Sequence, residues 1–440
     1  MLCHVNPGII GTHLYGIPLF SKHRSDEGVR PVQVGKFKAY QPIILYRKFK
    51  ADQIFTGHEI LAGNQVLITD NNGLILDIID QNDAGDTIET FTGILTPGFI
   101  NCHCHLELSH MKSLIPIHTG LVDFVLKVVN ERHFEEEEIL AAIENAENEM
   151  LQNGIVAVGD ICNNMFTIGQ KTRGNLLYHN FIEASGFPPV VAATRFQRAV
   201  ELYNTYAASL PNNSIVPHAP YSVSPEMFEL INDYPGNHIL TIHNQEIPDE
   251  NKLFETGGGD LIRMYEKMGI DISFFKPSGR SSLQTWLPFF KKEQSIILVH
   301  NVATSEADIE VTKPAYRTGR LRTSNLKPQT YFCLCPNANL YITNTLPDVN
   351  ALIKYDCSVV LGTDSLASND QLSILEEIRT LMKHFPGLQL KTVLQWATIN
   401  GARALGIENM VGSFEKGKKP GVVLIKQNNE SEMLQAERII

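Results

Sequence analysis

The sequence predicts an α/β protein: a parallel (β/α)8, TIM-like barrel with a small β domain drawn from both ends of the chain. Three observations carry this reading. Strand-like runs precede residue 97, eight short apolar runs alternate with helical segments after residue 98, and β texture returns near the C-terminus.

Residues 1–37 show neither helical nor strand period. They are read as an N-terminal extension, either functional or the product of an upstream start codon. From about residue 48 the pattern is β. "QVLITDNNGLILDII" sets two runs around Asn71-Asn72-Gly73, a hairpin signal because Asn and Gly tolerate positive φ. "TIETFTGILTPGF" is a further strand leading into "GFINCHCHLELSH". Near the end, "VGSFEKGKKPGVVLIK" is expected to rejoin this β unit, giving a discontinuous domain of residues 38–96 and 405–440.

The intervening residues 97–404 alternate strands with helices. In "FEEEEILAAIENAENEMLQNG", Ile139, Ala142, Ile143, Ala146 and Met150 recur at helical spacing. The acidic first turn suits the positive end of the helix dipole, and Gly154 sits where a C-terminal cap is expected. Strands are expected at 98–103, 155–159, 176–183, 214–218, 238–243, 295–300, 330–335 and 357–363. A doubly wound open sheet is the rival architecture. Strand counting alone does not separate the two; the placement of polar residues does.

Composition bounds the function. A chain of 440 residues, 43% hydrophobic and 19% charged, supports a substantial core. A formal charge of −11 argues against a nucleic-acid surface but suits a small-molecule substrate. The seven cysteines are odd in number and scattered, which reads as reduced thiols in a cytoplasmic protein rather than a disulfide framework. No apolar run reaches the roughly 18 residues of a membrane span. The N-terminus lacks the basic region of a signal peptide. A homo-oligomer is compatible with all of this.

The chemistry-bearing residues cluster at expected strand ends, which in a barrel face the active site. The first strand ends in His103-x-His105. "IVPHAPYS" supplies His218, "LTIHNQE" supplies His243 and Glu246, "IILVHN" supplies His300 and "SVVLGTDS" supplies Asp364. Each has a bland reading: His103-x-His105 as a common short structural motif, His218 as a turn residue, His300 as a core histidine, Asp364 as a helix N-cap, Glu246 as a solvated carboxylate. The joint pattern weighs against five separate excuses. On a strand, alternation puts His103 and His105 on one face and Cys102 and Cys104 on the other, so the four do not form one cluster.

Taken together, "LTPGFINCHCHLE", "PHAPYSVSPE", "TIHNQE", "LVHN", "CPNANLYI", "LGTDSLASND" and "ATINGARALGIENMVGSFEKGKKPG" resemble the amidohydrolase superfamily. The resemblance is to its mononuclear aminohydrolase (deaminase) and chlorohydrolase-like branch, close to aminofutalosine deaminase-like proteins. It implies a (β/α)8 barrel with a β-sandwich built from both chain ends. It also implies one divalent metal ion per subunit, Zn2+ or alternatively Fe2+, held by His103, His105, His243 and Asp364. Dinuclear members place a lysine at the end of strand four; "SIVPHAPY" has none.

By the same resemblance, Asp364 takes a proton from the attacking water and His300 steadies the developing oxyanion. Glu246 protonates the ring nitrogen beside the attacked carbon, and His218 contacts the substrate. Glu107 is either a further substrate contact or a loop salt bridge. The implied activity is hydrolytic deamination of an amino-substituted N-heterocycle, purine-like or aminofutalosine-like, with release of ammonia. The alternative is hydrolysis of another non-peptide C–N bond, or chlorohydrolase-type displacement, at the same centre. Two stretches depart from the pattern. Residues 312–328 make a long basic connection, read as a solvated surface loop rather than an anion-recognising lid. Pro420-Gly421 stands where the family commonly has Ala-Asp.

Overall fold

A computed structural model of the chain describes residues 46–313, 316–317, 320–321, 328–427 and 434–440. The extension expected at 1–37 and much of the 312–328 connection lie outside these residues.

Before residue 97 the chain forms β1 (Tyr46–Lys50), β2 (Gln53–Phe55), β3 (Ile60–Ala62), β4 (Gln65–Asp70), β5 (Ile75–Asp80), β6 (Glu89–Thr90) and β7 (Ile94–Thr96). The hairpin expected at Asn71-Asn72-Gly73 joins β4 to β5. Gly73 takes φ 77°, and Asp70 Oδ1 accepts from the backbone N–H groups of Asn72 and Leu74, both at 2.8 Å. The single strand expected in "TIETFTGILTPGF" is instead two, β6 and β7, in different sheets. The break falls at Gly93, whose φ is 123° and where a Cβ would lie 2.2 Å from the Ile425 carbonyl oxygen. Only glycine tolerates both.

Eight parallel strands follow in two sheets. β8 (Phe99–Cys104), β9 (Ile155–Cys162), β10 (Leu177–Ala184) and β11 (Asn213–Pro217) pair in sequence. β12 (Ile239–Asn244) pairs with β13 (Ser295–His300). Two short antiparallel strands, β14 (Tyr316–Arg317) and β15 (Arg320–Leu321), lie within the basic connection. β16 (Gln329–Leu334) then pairs with β13 and with β17 (Val359–Leu361). Each strand expected after residue 98 is present, shifted by at most a few residues. Their near-continuous burial explains why they read as apolar runs: strands covered on both faces have no polar side.

Hydrogen bonds join the two sheets at both margins. His243 N donates to His218 O at 3.0 Å, and Thr363 N and Asp364 N both donate to His103 O at 3.0 Å. The long helix Glu136–Gln152 turns Ile139, Ile143, Ala146 and Met150 onto the strands. Gly154 closes it at φ 77°, as its place in the sequence predicts.

Near the C-terminus, β18 (Val423–Gln427) runs antiparallel to β7, and β19 (Leu434–Arg438) pairs with β18. Phe49, Leu67 and Leu95 share an apolar cluster with Phe414 and Leu424. A separate apolar cluster, including Leu108, Met111, Phe187, Tyr221 and Tyr265, is built from segments that follow the parallel strands. Among the described residues no helix is long and apolar enough to cross a membrane.

Candidate metal centre and active site

The C-terminal ends of the parallel strands bring His103, His105, His243, His300 and Asp364 together. His103 Nε2 and His105 Nε2 each lie 3.5 Å from Asp364 Oδ1, and His105 Nε2 lies 3.3 Å from His243 Nε2. The His103 ring centroid is 4.9 Å from those of His105 and His243 and 5.9 Å from that of His300. All five side chains are buried. Strand alternation accounts for the first pair. With His103 and His105 facing inward, Cys102 and Cys104 face the other way as buried free thiols. The helix Gly401–Ala404 packs so close to that face that a Cβ on Gly401 would sit 3.1 Å from Cys102 Sγ.

The backbone is unusual where the site residues leave their strands. His300 has φ 75°, Asp364 φ 58° and Gln245 φ 46°. Left-handed backbone costs a non-glycine residue on the order of 1–3 kcal/mol and persists only where surroundings enforce it. For Asp364 the enforcing contacts are its own N–H on His103 O and its Oδ2, which accepts from Ser368 Oγ at 2.7 Å.

The groups around the site fix the state of each ring. His243 Nδ1 lies 2.7 Å from the carbonyl of His218, so it carries the proton and Nε2 turns a lone pair toward His105. Burial lowers His105 well below the usual imidazole range. Burial, with His218 and His103 beside it, brings His243 to about 4. Burial also lowers His300 strongly and His218 to about 4. Burial opposes the charge on Asp364, but His103, His105 and His300 outweigh it and hold the carboxyl well below its ordinary value.

His103 tests whether this set fits a metal. It is fully buried, and neither ring nitrogen has a hydrogen-bond partner. A buried polar atom left so costs about 1–3 kcal/mol. Neutral imidazoles and an ionised carboxylate are the donors that suit a divalent ion such as Zn2+, and a cation would satisfy the orphaned nitrogen. The His103, His105 and Asp364 donor atoms, and likewise those of His103, His243 and His300, lie within 4.8 Å of one another.

Glu246 is buried just beyond β12, with Oε1 3.7 Å from His300 Nε2. Burial raises its carboxyl well above the usual range, and Asp364 and Glu250 add to the effect. His218 lies beside this region, its ring tilted at 44° and 4.8 Å from that of His243, and its Nδ1 2.8 Å from Ser222 Oγ. Glu107 is buried with a neutral partner: its two oxygens accept from Asn163 N at 2.9 Å and Asn163 Nδ2 at 3.0 Å. Burial lifts it to about 7.

Sequence reasoning missed several groups that shape the site. Asn163 Nδ2 also donates to Glu183 Oε2 at 2.8 Å, and Glu183 faces His243. Alternation along "LYHNFIEA" puts Glu183 in phase with His179 and Phe181, the one signal that marks it as inward-facing. Asn339, which the resemblance gives only a part in shaping the loop after the seventh strand, places its Nδ2 3.0 Å from His300 Nδ1. Asp160 Oδ1 accepts from Leu106 N at 2.8 Å, pinning the chain directly after His105.

A parallel α/β fold whose strand ends gather neutral histidines and a carboxylate in a buried cluster has the make-up of a metal-dependent hydrolase. The amidohydrolase family model matches residues 94–436, and the chain belongs to that family. It is 26% identical over 388 residues to the 5-methylthioadenosine/S-adenosylhomocysteine deaminase of Saccharophagus degradans, covering 84% of this chain and 78% of that one. It is 26% identical over 340 residues to the adenosine deaminase of Helicobacter pylori, covering 74% and 77% of the two chains. In fold it is similar to Helicobacter pylori aminofutalosine deaminase in complex with methylthio-coformycin. That match has TM-score 0.71 and 22% identity, and covers 87% of this chain and 93% of the other. It is also similar to a Xanthomonas campestris adenosine deaminase with bound zinc, with TM-score 0.65 and 22% identity over 88% and 86% of the two chains.

Proposed function

We propose that the protein is a metal-dependent hydrolytic deaminase that removes the amino group of a purine-like N-heterocycle as ammonia. The observation that carries this reading is the meeting of an acid and a donor set. Glu246, raised toward its protonated form, stands 3.7 Å from His300 beside the His103, His105, His243 and Asp364 cluster. The deaminases to which the chain is similar support it.

In this reading His103, His105, His243 and Asp364 hold one divalent ion, Zn2+ ahead of Fe2+. Such an ion supplies acidified water at neutral pH when bound. Glu246 delivers a proton to the ring nitrogen beside the amino-bearing carbon, which makes that carbon electrophilic. Asp364 takes the proton given up by the attacking water. His300 donates from Nε2 to the oxygen as charge grows on it. A second proton passed through Glu246 lets nitrogen leave as ammonia. His218 and Glu107 complete the substrate side, Glu107 through Asn163.

The same reading closes the two parallel sheets into a (β/α)8 barrel over 97–404. The hydrogen bonds at both sheet margins support closure. Of the expected 38–96 and 405–440, the described residues 46–96, 405–427 and 434–440 then make the sandwich domain, supported by the pairing of β18 with β7. The six described cysteines are free, which suits the cytoplasm and its reduced thiols.

The test is ammonia release from 6-aminopurines and their nucleosides by metal-assayed protein. Glu246→Gln should retain the metal and lose most turnover. Near-normal rates in that variant would remove Glu246 from proton transfer, and no ammonia from any aminated heterocycle would sink the activity.

A further inference from the structure

Glu183 ends β10 with its side chain 5% exposed, on the same inward phase as His179 and Phe181. One oxygen, Oε2, accepts from Asn163 Nδ2 at 2.8 Å. The other, Oε1, is buried without any hydrogen-bond partner. His243 Nδ1 is 3.6 Å away, beyond bonding distance, and its proton already goes to the His218 carbonyl at 2.7 Å. A buried carboxylate oxygen without a donor costs free energy, so its retention beside the site asks for a donor from outside the chain.

Two occupants are conceivable. The donor atoms of Glu183, His218 and His243 lie within 4.8 Å of one another, as a second cation would require. That occupant needs the very Nδ1 of His243 that is already protonated and donating to a carbonyl. A neutral or cationic hydrogen-bond donor on the substrate meets no such conflict. It also finds the His218 ring on the same wall, 4.8 Å from the His243 ring.

We propose that Glu183 is a specificity-determining residue whose Oε1 accepts a hydrogen bond from an N–H or O–H group of the substrate. This rests on the deaminase reading and narrows it: the preferred heterocycle or its substituent carries a donor away from the amino group being removed. Asn163 fixes the polarity of the contact. Its Nδ2 requires an acceptor, so one Glu183 oxygen is always committed and the other, Oε1, is left for a further donor.

Glu183→Gln uses that constraint. The new amide must give its oxygen to Asn163 and turn its NH2 toward the pocket, reversing the polarity without changing shape. The experiment compares wild-type and variant full-length protein. It measures metal content, KM and kcat for adenosine, 2′-deoxyadenosine, 3′-deoxyadenosine and free adenine, and binding of each by calorimetry. The expected result is unchanged metal content and an about 10- to 100-fold weaker KM or binding constant for donor-bearing compounds. The penalty should vanish for those compounds of the four that lack the relevant donor. Loss of metal with unchanged substrate binding would overturn the proposal and make Glu183 a support for the ion or a ligand of a second one. A uniform penalty across all four compounds, or none, would also overturn it. If wild-type protein binds these compounds without releasing ammonia, the deaminase reading fails, while the binding comparison still decides Glu183.

Discussion

Lys171 Nζ lies 2.6 Å from Asp160 Oδ2, and both side chains are fully buried. The ammonium also donates to Asn180 Oδ1 at 2.9 Å and Cys162 Sγ at 3.2 Å, and it sits 5.1 Å from the centre of the Tyr178 ring. Burial works against its charge, but Asp160 and Cys162 together outweigh burial and hold Lys171 above its usual value. The other oxygen of Asp160 accepts from Leu106 N, one residue after His105.

Removing one member of this pair strands the other. Lys171→Met should destabilise the protein by about 3–5 kcal/mol, because an uncompensated buried carboxylate remains. Adding Asp160→Asn should recover part of that loss, so the double variant costs less than the sum of the singles. Urea unfolding of the four proteins checks this; strict additivity would mean that the two groups do not act as a pair.

Glu377 gives stability a pH dependence. It accepts from Asn337 N at 2.9 Å, Asn337 Nδ2 at 3.0 Å and Asn369 Nδ2 at 2.8 Å, tying the segments after β16 and β17 together. Burial nevertheless raises its carboxyl to about 8. The folded state therefore binds a proton that the unfolded chain, with an ordinary carboxyl near 4.5, has lost across that interval. Stability contributed by Glu377 is full below about 4.5 and falls as pH rises toward about 8. In Glu377→Gln, which cannot ionise, melting temperature should fall less between pH 5 and pH 8 than in the wild type. Parallel curves would show that Glu377 does not titrate there.

The residues of the buried cluster were legible because most of them close an apolar run. Parallel strands buried on both faces are mostly apolar until they end, so His103, His218, His243, His300 and Asp364 stand out in sequence. Asn163, Glu183 and Ser368 were not legible for the converse reason. Each is a single polar residue whose role depends on which loop it meets across the strand ends. The left-handed backbone at His300 and Asp364 was equally hidden, since even Asp and His, which adopt it more often than most side chains, do so in only a small minority of positions. The β6–β7 break turned on Gly93, whose need for close approach to Ile425 comes from a strand more than three hundred residues away.

Metal removal should be visible in stability as well as activity. A cation would satisfy one unpartnered nitrogen of His103 and draw in the facing Nε2 atoms of His105 and His243. An ion that binds the folded chain alone stabilises it by about 4 kcal/mol at a thousandfold excess over its dissociation constant. Protein stripped with chelator should melt several degrees lower and recover on addition of Zn2+. Identical melting curves with and without metal would argue that the cluster holds none.

The last prediction concerns His300, which must present a proton at Nε2 to act on the reacting oxygen. Asn339, buried on the helix Pro336–Thr343, places its Nδ2 3.0 Å from His300 Nδ1. A donor facing Nδ1 requires a lone pair there and so fixes the proton on Nε2. Asn339→Leu removes that control, and kcat should fall about 10- to 100-fold with KM and metal content little changed. Asn339→Asp goes further: a carboxylate accepts from Nδ1–H and drives the proton away from Nε2. The aspartate variant should therefore be slower than the leucine variant, although it is closer to asparagine in shape. The two rates, measured with metal content on the same preparations, decide the matter. A faster aspartate variant would mean that Nδ1 carries the proton in the working enzyme.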